Sequence, residues 1–257
     1  MDILGLIVVG LASGALLAST GVIGPFLVPA LLLLGYPSDI ARGTTLASEL
    51  LMTLLSIIMY SRKGKLDKRI IVAFLPGAAT VVLGAMVPQI FDYPEQLMKM
   101  SIGAFEIVIG LTMVTMVYMT IRKSVKLKPS ANVAIDGRTM AKLMGIAVFA
   151  GLLKGFFGAG WGPIGIGLFV LVGIDPSATV GSSLAIRILL DVTGGITFAS
   201  MNLVNVDAAV ILTLAGCIAI VPAAKMAIQV SKEKLRSFLG VAVMLLGVFV
   251  IAEAFAG

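Results

Sequence analysis

Glu49, Glu106, Lys154, Arg187 and Asp191 are ionisable side chains inside stretches of sequence that are otherwise apolar. A charge in lipid is costly, so each is a candidate for substrate contact, for ion coupling, or for a specific pairing. Lys154 has no acid within one helical turn of it. That suits it to a substrate pathway, while Glu49 or Glu106 reached through space would neutralise it. Arg187 and Asp191 have the i,i+4 spacing of a local ion pair. The competing reading of Arg187 is a planar fork that receives two oxygens of an anion. Glu49 and Asp191 are the coupling candidates, because a desolvated carboxylate can carry a proton. Thr44, Thr45, Ser182 and Ser183 are hydroxyl pairs at matched places in two segments. They either bond an anion's oxygens or bond back to their own helices.

Other chemistry is poorly provided for. Histidine is absent, which removes the commonest proton shuttle and zinc ligand, and the single cysteine, Cys217, has no disulfide partner. There is no H-E-x-x-H, G-x-S-x-G or P-loop pattern. No metal or cofactor is expected, and a membrane-embedded enzyme using Asp191 or Glu49 is the weakest alternative.

The elements that position these residues must lie in a bilayer. Of the 257 residues, 59% are hydrophobic and 12% charged, against about 45–50% and about 25% in soluble domains. The apolar segments are Ile3–Leu34, Ile40–Tyr60, Ile70–Phe91, Leu97–Ile121, Met140–Val172, Ser177–Ala199, Asp207–Val230 and Leu235–Phe255. The first and fifth are too long for one span, about 48 Å of helix against a hydrocarbon core of about 30 Å. Each is interrupted, the first at Ser19-Thr20-Gly21-Val22-Ile23-Gly24-Pro25 and the fifth at Gly158-Ala159-Gly160-Trp161-Gly162-Pro163. Glycine weakens a helix and proline removes a backbone donor. These are broken helices, expected to form hairpins with arms of roughly 15 and 10 residues.

The two breaks are copies. One constant offset in numbering carries Gly24-Pro25 to Gly162-Pro163, Gly35 to Gly173, Gly43-Thr44-Thr45-Leu46-Ala47 to Gly181-Ser182-Ser183-Leu184-Ala185, and Glu49 to Arg187. The chain therefore reads as two repeats, residues 1–121 and 140–257, joined by a basic linker, 122–139. Most of its 19 basic residues fall in three clusters: Arg62, Lys63, Lys65, Lys68 and Arg69; Arg122, Lys123, Lys126, Lys128, Arg138 and Lys142; and Lys225, Lys232, Lys234 and Arg236. Cytoplasmic loops hold the Lys/Arg excess, so the net charge of +6 reports topology and not a nucleic-acid partner. Keeping all three clusters inside requires a hairpin at each break. Both termini then lie outside and the repeats are inverted, with Lys99 and Arg42 as exceptions. The expected fold is an all-α integral membrane protein, each repeat a broken-helix hairpin followed by three transmembrane helices.

In such proteins paired broken helices mark a substrate site near the midplane. A helix restarting after Pro25 or Pro163 points free N–H groups and the positive end of its dipole inward, a setting for an anion. Gly21, Gly24, Gly160 and Gly162 are the backbone side of that candidate site, and Trp161 at the tip either packs it or lines the pocket. The alternative is that the glycines only permit close helix packing.

The stretch Leu34-Gly35-Tyr36-Pro37-Ser38-Asp39-Ile40-Ala41-Arg42-Gly43-Thr44-Thr45 and its copy Val172-Gly173-Ile174-Asp175-Pro176-Ser177-Ala178-Thr179-Val180-Gly181-Ser182-Ser183 resemble motifs of the TauE/SafE family of sulfite exporters and anion permeases. The Lys65-Leu66-Asp67 and Asn205-Val206-Asp207 turns resemble that family's turns too. The resemblance implies a permease of the cell membrane that exports or imports a small sulfur-containing anion, such as sulfite or a sulfonate, without ATP. The expected partners are that anion, the lipid bilayer and a coupling proton or ion. Lys154 and Arg187 lie outside the motif. A passive anion channel is the alternative, and saturation of flux separates it from a carrier.

Overall fold

The computed structural model describes residues 2–61, 67–123, 136–172, 176–226 and 232–256. Arg62, Lys63, Lys65, Leu66, Lys126, Lys128 and the Gly173-Ile174-Asp175 part of the second motif lie outside them. Every described element is helical: α1 (Ile3–Thr20), α2 (Gly24–Leu33), α3 (Ser38–Ser61), α4 (Lys68–Ile90), α5 (Glu95–Lys123), α6 (Gly137–Phe157), a π-helical turn (Trp161–Ile166), α7 (Gly167–Leu171), α8 (Pro176–Ser200), α9 (Val206–Met226) and α10 (Lys232–Ala256). Seven of them are long and apolar enough to cross a membrane: α1, α4, α5, α6, α8, α9 and α10. The exterior is correspondingly apolar, with Leu4, Val8, Leu83, Ile90, Val108, Leu111, Ile196, Leu214, Ile218, Leu245 and Val248 exposed. In water such a surface would aggregate, whereas lipid solvates it.

Both breaks fall at their glycines, and Pro25 opens α2. The second segment restarts at Trp161, ahead of Pro163, which lies inside a π-helical turn instead of starting a helix. Gly21 ends α1 and Gly158 ends α6, each in left-handed backbone (φ 75° and 72°) that costs glycine little. The pre-break arms are longer than expected. α1 has 18 residues and α6 has 21, because helix continues unbroken up to those glycines. Beyond the second break, Gly160 (φ 101°) leads into the π-helical turn and then the short α7. α2 returns toward the face where α1 began: Asp2, Leu34, Gly35, Tyr36 and Asn205 line one surface pocket. α6 starts from a cap in which Asp136 accepts from the Thr139 N–H at 2.8 Å. Hydrogen bonds from Thr139 hold that carboxyl below its usual range.

The packing is interleaved along the chain. α1 lies against α9, α4 against α6, α3 against α8, and α5 against α10. The seams are made of glycine. A Cβ on Gly14 would fall inside the Gly216 carbonyl, on Gly84 inside that of Leu152, and on Gly155 inside that of Val81. On the α5–α10 seam, Gly103 faces Gly247 and Gly110 faces Gly240. In lipid, helices gain from van der Waals packing rather than from hiding apolar surface, so small residues set how closely they approach.

The two bases that broke the charge pattern are paired. Lys99 Nζ donates to Glu253 at 2.9 Å, and the buried Arg42 donates to Asp39 and, at 2.7 Å, to the Phe156 carbonyl. Arg42 also lies 5.3 Å from the centre of the Phe198 ring. It ties α3 to the end of α6, directly ahead of the break. Arg42→Ala is expected to cost about 1–3 kcal/mol by leaving the Phe156 carbonyl without its donor. Thermal unfolding in detergent checks this, and an unchanged melting temperature would assign Arg42 no structural part.

Candidate functional site

The two breaks meet. A Cβ on Gly24 would stand 3.1 Å from Ala159 Cα and 3.1 Å from Glu49 Oε1, and one on Gly162 would stand 3.1 Å from Val22 Cγ2. Gly160 faces Phe105, where a Cβ would lie 2.7 Å from the ring. The backbone approaches this closely because side chains are missing.

Four ionisable groups close on the same point. Lys154 Nζ donates to Glu49 Oε2 at 2.9 Å and lies 3.0 Å from Asp191 Oδ1. Arg187 Nη2 donates to Glu49 Oε2 at 3.0 Å, while its Nη1 donates to the Gly21 carbonyl at 3.0 Å. Its Nε stands 3.8 Å from Asp191 Oδ2, so the i,i+4 pair is the longest of the set. All four groups are buried: Glu49 is 0% exposed, Lys154 and Asp191 1%, and Arg187 4%. Desolvation makes such a cluster tolerable only when its charges balance, and two cations here face two carboxylates.

Helix phase explains the convergence. Thr45, Glu49 and Thr53 recur every four residues and so share one face of α3, as Ser183, Arg187 and Asp191 do on α8. Because α3 and α8 pack together, the stripes face each other. Glu49 meets Arg187 across 138 residues of sequence, and Thr53 donates to Asp191 Oδ2 at 3.1 Å across the same 138. Thr53 was not among the residues singled out from the sequence. The repeat offset that pairs Glu49 with Arg187 would have pointed to it.

Of the residues proposed from the sequence, the structure gathers Gly21, Gly24, Gly160, Gly162, Glu49, Lys154, Arg187 and Asp191. Trp161 and Ser183 join them: the indole Nε1 donates to Ser183 Oγ at 3.2 Å, and its ring packs 4.9 Å from Phe74. Thr45 is buried and its hydroxyl has no hydrogen-bond partner among the described residues. Thr44 and Ser182 are engaged elsewhere. Thr44 Oγ1 accepts from the Asn205 N–H at 3.0 Å, and Ser182 Oγ from the Asp67 N–H at 3.0 Å. Each anchors the residue just before α9 or α4. Glu106 is fully buried on α5, with neither oxygen hydrogen-bonded among the described residues.

An apolar-faced helical bundle with buried charges at paired helix breaks is a multi-pass membrane protein built like a transporter. The profile of the family described as Sulfite exporter TauE/SafE matches residues 6–250, and the chain belongs to that family. It is also similar, at 25% identity over 209 residues, to the "Probable membrane transporter protein YjnA" of Bacillus subtilis (strain 168), covering 78% of this chain and 80% of that protein. No solved structure matches it.

Proposed function

We propose that the protein is a secondary transporter of a small anion, a sulfur-containing oxyanion or organosulfonate such as sulfite, working by alternating access around the two breaks. The observation that carries this reading is the meeting of both broken segments, Gly24 on Ala159 and Gly162 on Val22, at the Lys154–Arg187 cations. The N-terminus of α2 adds a partial positive charge of about half a unit. Lys154 and Arg187 are fixed cations at the same point, balanced by Glu49 and Asp191 until an anion enters.

The inverted arrangement belongs to the same proposal. In it, residues 1–121 and 140–257 are related by a two-fold axis in the membrane plane. Its support is reciprocity: α1 packs on α9 as α6 packs on α4, and Thr44 holds Asn205 as Ser182 holds Asp67. Orientation in the cell membrane follows from the basic clusters, with both termini and residues 201–206 outside. A cysteine at Asn202, introduced after Cys217 is replaced, is expected to react with an impermeant thiol reagent in intact cells, and one at Arg138 is not. Labelling of the second and not the first would reverse the orientation.

Transport is tested by uptake into proteoliposomes of sulfite, sulfate, thiosulfate, sulfonates and carboxylates, with and without a pH gradient. Saturable uptake of the sulfur anions is expected. Uptake of none of the panel would refute the reading, and flux that does not saturate would make the protein a channel.

A further inference from the structure

We propose that the Glu49 carboxylate is a tethered stand-in for the transported anion, and that an incoming oxyanion takes its place between Lys154 and Arg187 as Glu49 takes up a proton. The proposal rests on the anion-carrier reading of this site and adds the event that couples the anion to a proton.

Glu49 is held as a bound oxyanion would be. A single oxygen, Oε2, accepts from both Lys154 Nζ (2.9 Å) and Arg187 Nη2 (3.0 Å). The second oxygen, Oε1, is buried without a hydrogen-bond donor among the described residues and sits against Gly24, the first residue of α2. No side chain caps that helix start, so the carboxylate lies where a helix N-terminus favours negative charge. Arg187 Nε also lacks a hydrogen-bond partner among the described residues, which leaves part of its fork available to a ligand with more oxygens than a carboxylate.

Of the two carboxylates, Glu49 is the displaceable one. Asp191 sits on the same helix as Arg187, one turn away, and is fixed by the Thr53 hydroxyl at 3.1 Å. Glu49 reaches in from α3 and has no neutral hydrogen-bond donor among the described residues. Charge balance then brings the proton. The cluster holds two cations and two carboxylates, so a monovalent anion entering it leaves one negative charge uncompensated in a desolvated site, which costs several kcal/mol. An O–H bond formed on Glu49, with the proton drawn from the aqueous side then open, removes that charge. Release of the anion lets Glu49 lose the proton and close again on the cations.

The charged groups around Glu49 are Lys154 from α6 and Arg187 and Asp191 from α8. Among the other elements packed on α3, α1 and α2 carry no charged residue and α9 only Asp207 and Lys225 near its ends. α5 contributes Glu106 as an alternative proton site, besides Glu95 bonded to Ser38, Lys99 bonded to Glu253, and Arg122 and Lys123 at its C-terminal end.

Calorimetric titration of the purified full chain in detergent tests the proposal, run in two buffers of different ionisation enthalpy so that protons are counted. Protons are counted with methanesulfonate, which is monovalent and stays ionised throughout, while thiosulfate, sulfate and sulfite are further probes of binding alone. Wild type is expected to take up about one proton per methanesulfonate, with affinity falling about tenfold per pH unit over the range in which that proton is taken up. Glu49→Gln, which resembles the protonated side chain, is expected to bind at least as tightly with no proton uptake and no pH dependence. Glu106→Gln is expected to behave as wild type. Anion binding by wild type without proton uptake overturns the proposal while leaving the carrier reading intact, and that measurement needs no variant to fold. So does proton uptake that persists in Glu49→Gln or disappears in Glu106→Gln. Failure of wild type to bind any of the probes overturns the carrier reading, and the stand-in with it.

Discussion

Arg187→Ala is expected to abolish transport and to lower stability by about 3–5 kcal/mol, the range for breaking a buried pair from one side. In the wild type Arg187 bonds Glu49 and the Gly21 carbonyl and faces Asp191. Without it Lys154 alone confronts two buried carboxylates, and the carbonyl that ends α1 has lost its donor. Arg187→Lys restores the charge but cannot reach Glu49 and Gly21 together, since an ammonium lacks the fork. It should recover part of the stability and little of the transport. Combining Arg187→Ala with Glu49→Gln restores charge balance, and so should raise the melting temperature again while leaving transport absent. Thermal unfolding in detergent and proteoliposome uptake separate the two effects. A singly substituted Arg187→Ala protein that melts and transports as wild type would remove this residue from the site.

The second large effect is expected on the α4–α6 seam. Gly84→Val and Gly155→Val each place a branched side chain where the facing helix has a backbone carbonyl, that of Leu152 or Val81. Backbone cannot rotate aside as a side chain can, so the helices must separate along the seam and lose packing on both faces. Each change is expected to exceed the usual overpacking cost of about 1–3 kcal/mol, read as a lost monodisperse peak in size-exclusion chromatography and a lowered melting temperature. Gly145 on α6 is the control, because a Cβ there meets nothing within 4 Å. Gly145→Ala should be neutral or stabilise by up to about 1 kcal/mol through helix propensity. If Gly84→Val is as well tolerated as Gly145→Ala, close approach is not what these glycines provide.

Much of this was legible in the residues. The breaks could be read because Gly21, Pro25, Gly158 and Gly160 speak through local backbone chemistry, which sequence displays directly. The ionisable residues of the site could be named one at a time, because any charge in an apolar run stands out. Their partners could not. Which acid meets Lys154 depends on how α3, α6 and α8 are rotated against one another, and Glu49 stands 105 residues away. The local Arg187–Asp191 pair was the natural expectation, yet it is longer than the contact to Glu49, since the fork of Arg187 points across to α3 and α1. Thr44 and Thr45 look equivalent in sequence, but a step of one residue turns a side chain about 100° around a helix. Thr45 therefore shares the face of Glu49 while Thr44 turns to the loop before α9. Arg42 resembled a stray charge because its acceptors, Asp39 aside, include a backbone carbonyl that no sequence pattern displays.

The interleaving of the helices also bears on how the protein is made. Glu49 enters with α3, whereas Lys154 and Arg187 follow it by 105 and 138 residues. At a synthesis rate of about 5–20 residues per second, the acid waits on the order of ten seconds before either cation exists. α1 waits longer still for α9, and it can, since no charge occurs between Ile3 and Thr20. α3 has no such ease in lipid and must either keep its acid protonated or linger at the interface. The burial of Glu49 is thus completed only by the late helices, and a ribosome that stops after α5 leaves a chain whose Glu49 has neither Lys154 nor Arg187 to settle against.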